Sequence, residues 1–260
     1  MLEMAFQYTE TDHAQYERDG YVIPDGCLSP ETVVDIRGKV DLLVEQLHPT
    51  RTADRLISVH QCGVRWLWEL ATAPLLLDIV EQQIGPNITL WSTHVLAKPP
   101  FTGIVVPWHQ DAPYWNIKGR MAGGIWIAID DVDEGNGTMS VLPGWHKKGT
   151  LPRLVRDGDG FNEEIDPAAL PDDVDEIKAT YRLKSGQMAT HDTMIPHSST
   201  PNTSDRWRRV IVLRYIAADG ELNAETLSDY RTLVPFEREF FLVRGEDVNR
   251  CGLRRSPFDD

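Results

Sequence analysis

The 260-residue chain carries 26 Lys and Arg against 40 Asp and Glu, a formal net charge of −14, which opposes binding to nucleic-acid phosphates and to anionic membranes. With 41% hydrophobic and 25% charged residues, the composition is that of a soluble globular protein of one large or two small domains. No apolar run approaches the ~18 residues a membrane span needs, and the opening MLEMAFQYTETDHAQYERDG is polar and acidic, unlike a signal peptide. Cys27, Cys62 and Cys251 are scattered; they argue against a disulfide framework or a thiolate metal site and for a reducing cytoplasm. The acidic tract 157–176 and the terminal FDD read as a solvated loop and a charged tail.

In chain order, the first strong element is a helix over about 30–47. Ser29-Pro30 supplies an N-cap and an N1 proline, and Val33, Ile36, Val40, Leu43 and Leu47 recur at helical spacing. A second helix is predicted over 73–84 and closes at Gly85. From there the pattern changes to short β-type runs at 88–97, 103–111, 123–129, 138–142, 179–183, 187–193 and 207–217. Pro99-Pro100, Asn136-Gly137, Pro143-Gly144 and Ser185-Gly186 mark turns between several of them. Many short strands without intervening helical patterns predict an antiparallel sandwich or barrel behind an N-terminal helical part. The chain shows neither an internal repeat nor a low-complexity linker.

The stretch PWHQDAPYW (107–115) holds a His-x-Asp pair, His109 and Asp111. Chance placement gives about one such pair in a chain of this composition, so the pair alone decides nothing. If 103–111 is a strand, the two side chains share a face and Gln110 points away, so both could serve one metal ion. A third ligand must then come from elsewhere. Among the remaining histidines, His197 opens HSSTPNTSDRWRRVIVLRY, where a polar turn leads into a strand with arginines at its start. His191-Asp192 is a weaker pair, because adjacent strand residues face opposite ways.

Four segments together carry a family resemblance: WHQDAPYW (108–115), WIAIDDVDEGNGTMSVLPGWHK (126–147), GQMATHD (186–192) and HSSTPNTSDRWRR (197–209). With ERDGYVIPDGCLSPETVVDIR (17–37), they make the chain resemble the phytanoyl-CoA dioxygenase family over about residues 17–215. The resemblance implies a mainly β fold, a double-stranded β-helix or jelly roll of cupin-like form. It also implies a single oxygenase domain over 1–260, with helices over about 1–85, the jelly-roll core over about 86–217 and a C-terminal extension over 218–260. It carries over His109, Asp111 and His197 as ligands of Fe(II), a facial set that leaves three positions for 2-oxoglutarate and O2.

By the same resemblance, Arg208 holds the far carboxylate of 2-oxoglutarate, for which a planar guanidinium is suited, and Ser199 hydrogen-bonds it. Parity keeps Arg206 on the same face as Arg208 and turns Arg209 away. Lys98 is a further co-substrate contact, although sequence alone reads it as a solvated strand-end lysine. Trp126 is either a core tryptophan or a pocket wall, and Trp115 and His94, near the proposed iron by sequence, are the substrate-side candidates, with filling of the jelly roll as the alternative. The implied activity is hydroxylation of an unactivated C–H of a small molecule, with release of succinate and CO2. Halogenating relatives have a small residue where Asp111 stands, so chlorination is not expected. The alternatives are a non-catalytic jelly-roll binding protein and a cupin-like metal enzyme that does not use 2-oxoglutarate. Neither nucleic acid nor membrane is expected as a partner, and a cytoplasmic location is.

Overall fold

The structure, a computed structural model, describes residues 2–47, 56–57, 63–102, 105–115, 121–155, 163–219 and 239–258. Two antiparallel sheets face each other. The larger runs in the order Phe241–Arg244, Ile88–Lys98, Arg208–Ala217, Met121–Ala128, Met188–His191, Tyr21–Val22, and Leu56–Ile57 also pairs with Ile88–Lys98. The smaller runs Ala179–Thr180, Met139–Val141, His197–Ser199, Val106–His109.

Side-chain alternation explains why RRVIVLRYIA is almost wholly buried. Ile211, Leu213 and Tyr215 join Ile125, Ile127 and Val95 on one face and pack against Val33, Ile36, Val40, Leu67, Leu76 and Val80 of the helices. Val210 and Val212 join Trp126, Ala128 and Ala189 on the other face and meet Met139, Val141, Tyr181 and Ile195 of the smaller sheet and its connections. A strand covered on both faces has no solvent side, so its apolar run is continuous rather than alternating. The order is thus helices, large sheet, small sheet, with the site between the sheets.

The predicted helices are found at Pro30–Leu47 and Pro74–Ile84. Ser29 Oγ accepts the Thr32 N–H at 3.2 Å, which is the expected cap. Two further helices, Glu10–Asp19 and Arg65–Ala71, were not expected. The first buries only Tyr16 and so has no apolar stripe; what marks it is the Thr9/Asp12 capping box and the left-handed Gly20. Phe241–Arg244, in the segment read as an extension, supplies the edge of the large sheet beside Ile88–Lys98.

One expected strand is shorter than its sequence suggested. The run read as 103–111 is a strand only over Val106–His109, and residues 103–104 lie outside the described residues. Asp111 opens a short helix, Asp111–Trp115, because its N–H and that of Ala112 both donate to Thr193 O, at 3.0 and 3.2 Å. Asp111 therefore does not share a strand face with His109, and the two side chains meet across a strand-to-helix corner.

Candidate active site

His109 ends its strand and lies directly opposite His197 in the smaller sheet. The two rings sit 4.1 Å apart, centroid to centroid. Each is oriented in the same way: His109 Nδ1 meets Pro107 O at 2.9 Å, and His197 Nδ1 meets Ile195 O at 3.1 Å. A carbonyl only accepts, so both Nδ1 atoms carry the proton and each Nε2 presents a lone pair.

Asp111 completes the group across the strand-to-helix corner. Its Oδ1 is 3.6 Å from His109 Nε2, and its Oδ2 is 3.8 Å from His197 Nε2. Among the described residues, these three place one donor atom each within 4.8 Å of one another, and all three are buried. Gln110, between the pair, is held elsewhere. Its Nε2 donates to Gly149 O (2.9 Å) and Met194 O (2.7 Å), and its Oε1 accepts the Leu151 N–H at 2.9 Å.

Electrostatics ready the group for a cation. Burial alone would raise the Asp111 carboxyl, but Arg214, His197 and His109 outweigh it and hold it well below the usual range. Burial and then His109 push His197 well below the ordinary imidazole value. Two imidazole nitrogens and an ionised carboxylate on one face are the donor set of non-haem iron. His191 lies 5.6 Å from His197, ring to ring, with its pKa pushed down by burial and by Arg214 to about 4. It stands outside the group of three, and Asp192 faces another way, accepting the Met194 N–H.

A cationic cluster stands at one end of the same interior. Arg208 is buried and pairs in register with Lys98 on the neighbouring strand. Lys98 is not the solvated lysine expected: it is 2% exposed, and its Nζ donates to Ser199 Oγ at 2.9 Å and Thr200 O at 2.5 Å. The turn after His197 covers it, through Ser199 and Thr200. Arg206 precedes the strand instead of sharing a face with Arg208, and grips both Asp133 oxygens at 2.8 Å. Arg209 points away as parity required, to Asp130 (2.8 Å) and Asp41 (2.5 Å).

The Asn136-Gly137 turn holds this end together. Gly137 has φ +77°, and a Cβ there would stand 2.5 Å from Thr200 O. Asn202 Nδ2 donates to the carbonyls of Lys98, Pro99 and Arg206, which closes the turn between His197 and Arg208.

Trp126 faces the interior opposite Val212 and meets Tyr181 edge-on at 5.8 Å. It belongs to the apolar cluster between the sheets. His94 is buried on the same strand as Lys98, also opposite Val212. Trp115 closes the short helix, and its side chain lies outside what the structure describes. One participant escaped the sequence reading: Arg214, whose Nη1 donates to Asp111 Oδ2. The available signal was a lone cation six residues after Arg208, in step with it, inside an apolar strand.

A double-sheet jelly roll with two histidines and one aspartate gathered in its interior defines the class of mononuclear non-haem iron oxygenases. The profile of the phytanoyl-CoA dioxygenase (PhyH) family matches residues 16–210, and the chain belongs to that family. L-proline trans-4-hydroxylase of Streptomyces griseoviridis is 25% identical over 224 residues, covering 77% of this chain and 84% of that protein. Ectoine dioxygenase of Nocardia farcinica is 23% identical over 231 residues, covering 80% and 77%. Among solved structures, the non-heme monooxygenase ThoJ superimposes with a TM-score of 0.72 at 26% identity, over 95% of this chain and 89% of its own. EvdO2 from Micromonospora carbonacea, complexed with 2-oxoglutarate, has the same fold, with a TM-score of 0.66 at 24% identity over 85% and 96%. The protein is an Fe(II)/2-oxoglutarate-dependent dioxygenase.

Proposed function

We propose that His109, Asp111 and His197 hold the ferrous ion, and that Arg208, with Ser199 and Lys98, holds the far carboxylate of 2-oxoglutarate. The observation that carries this reading is the convergence of two Nε2 atoms and a carboxylate within 4.8 Å, with both imidazoles oriented by backbone carbonyls. When bound, iron and 2-oxoglutarate supply the dioxygen chemistry: one oxygen atom goes to a substrate C–H, the other to succinate, with loss of CO2.

The chain's own residues perform the remaining work. Pro107 O and Ile195 O fix both imidazoles as Nδ1–H tautomers, so that Nε2 faces the metal. Ser199 and Thr200 hold the Lys98 ammonium beside Arg208, making that end of the interior a receptor for an anion. Trp126 and its apolar neighbours exclude water between the two ends.

The substrate is a small molecule whose carbon is hydroxylated, with His94 and Trp115 as its substrate-side residues; one curated relative is named as a hydroxylase of L-proline and the other as a dioxygenase of ectoine. The reading takes 1–260 as one oxygenase domain, because strands from Tyr21–Val22 to Phe241–Arg244 share one sheet. Among the described residues no helix is long and apolar enough to cross a membrane. The scattered cysteines support a cytoplasmic location, and the charge of −14 supports the absence of a nucleic-acid partner.

The test is an anaerobic titration with Fe(II) and 2-oxoglutarate, followed by admission of air and a small-molecule screen scored by succinate. One ferrous ion and one 2-oxoglutarate per chain, and substrate-dependent succinate, are expected. Turnover with zinc or manganese that ignores 2-oxoglutarate would instead favour a cupin-like metal enzyme.

A further inference from the structure

Asp111 has a partner that the ligand set does not require. Arg214 Nη1 donates to Asp111 Oδ2, and both side chains are nearly sealed from solvent, 7% and 4% exposed. Arg214 comes from the same inward face as Arg208, Val210 and Val212, six residues from Arg208, or roughly 20 Å along the strand. The two arginines thus stand at opposite ends of the interior.

The backbone is shaped at this point. Register shifts between Arg214 and Tyr215 against Ile88–Lys98, and between Leu213 and Tyr215 against Met121–Ala128. A bulge of this kind re-aims the side chain that it carries. An apolar residue would be far cheaper to bury here than a guanidinium, whose desolvation is offset only by a well-placed carboxylate.

From this geometry we infer that Arg214 is a positioning residue for the metal's carboxylate ligand: it holds Asp111 Oδ2 and leaves Oδ1 as the single oxygen offered to the ion. The inference rests on the reading of Asp111 as a ligand and goes beyond it. A carboxylate is able to chelate through both oxygens, which would consume one of the three positions that 2-oxoglutarate and dioxygen need. With Oδ2 committed to a planar guanidinium, the carboxylate has one free oxygen and one fixed orientation. The chain's design is then symmetrical: backbone carbonyls orient the two imidazoles, and a buried arginine orients the carboxylate.

The experiment uses the full-length metal-free protein titrated with Co(II), read as affinity and as the visible ligand-field spectrum, without any turnover. Wild type should bind one Co(II), and His109→Ala should abolish it. Failure of either result would overturn the ligand reading itself and not merely the role of Arg214. Arg214→Met should weaken Co(II) binding about 10–100-fold and alter the spectrum, the usual cost of losing an outer partner of a ligand. Arg214→Lys keeps the charge but not the fork, and should fall between, at about threefold to tenfold loss with an altered spectrum. It also covers the case in which the methionine variant does not fold. An Arg214→Lys protein that matches wild type in both affinity and spectrum would mean that Arg214 only neutralises charge, and would overturn the inference. So would an unchanged Arg214→Met.

Discussion

Arg206 and Arg209 turn away from the site, to Asp133 and to Asp130 and Asp41, whereas Arg208 and Arg214 turn toward it, to the Lys98–Ser199 cluster and to Asp111. The same residue type, within nine positions of one chain, thus does two kinds of work. Outside, the Arg206–Asp133 pair is largely exposed, and such pairs contribute at most about 1 kcal/mol. Inside, Arg208 and Arg214 are nearly sealed from solvent, and a buried guanidinium is costly unless well-placed acceptors meet it. In the proposed reading the inner arginines serve two carboxylates: that of the ligand Asp111 at one end and that of the co-substrate at the other.

The largest effects should come from the group that the inner face serves. His109→Ala, Asp111→Ala and His197→Ala should each abolish measurable succinate release, and an active His109→Ala enzyme would end the metal assignment. In the proposed ligand set, Asp111 also closes the route to halide, since it would hold the position a halide needs. Product mass spectrometry in chloride buffer under labelled dioxygen should show oxygen incorporation, and chlorinated product from the unmodified protein would contradict this.

The inner–outer division is sharpened by neighbouring substitutions. Arg208→Ala should raise the 2-oxoglutarate concentration needed for half-maximal rate about 10–100-fold, the loss of one or two charged hydrogen bonds, with iron binding near wild type. Arg209→Ala should leave that concentration within about twofold and show itself only as a lower Tm. If Arg209→Ala instead matched Arg208→Ala, the division would be wrong by one residue of register.

Smaller effects test the frame that aims the arginines. Gly137→Ala forces a side chain into a left-handed position against Thr200 O and should cost about 1–3 kcal/mol of stability by thermal or urea unfolding. Far from the site, Thr9→Ala removes the cap of the Glu10–Asp19 helix and should cost about 1 kcal/mol, without moving the 2-oxoglutarate requirement. A shift in that requirement would mean that this helix is coupled to the interior.

What the sequence by itself determined is what depends on near neighbours. The Pro30–Leu47 helix follows from a cap and a 3.6-residue stripe, the long strands from β-type runs, and the closeness of His109 and Asp111 from two positions of separation. The family resemblance added the third ligand and Arg208, which local spacing could not select from eight histidines and several arginines. Tertiary structure decided the rest. Lys98 is buried because Ser199 and Thr200 arrive over it from 101 and 102 residues away. Asp111 faces His109 from a helix, because Thr193 O captures the chain after Gln110. Arg214 finds Asp111 across 103 residues, at a bulge that periodicity cannot announce. Each of these depends on contacts between segments far apart in sequence, fixed by packing two sheets face to face, a condition written in no single window of the chain.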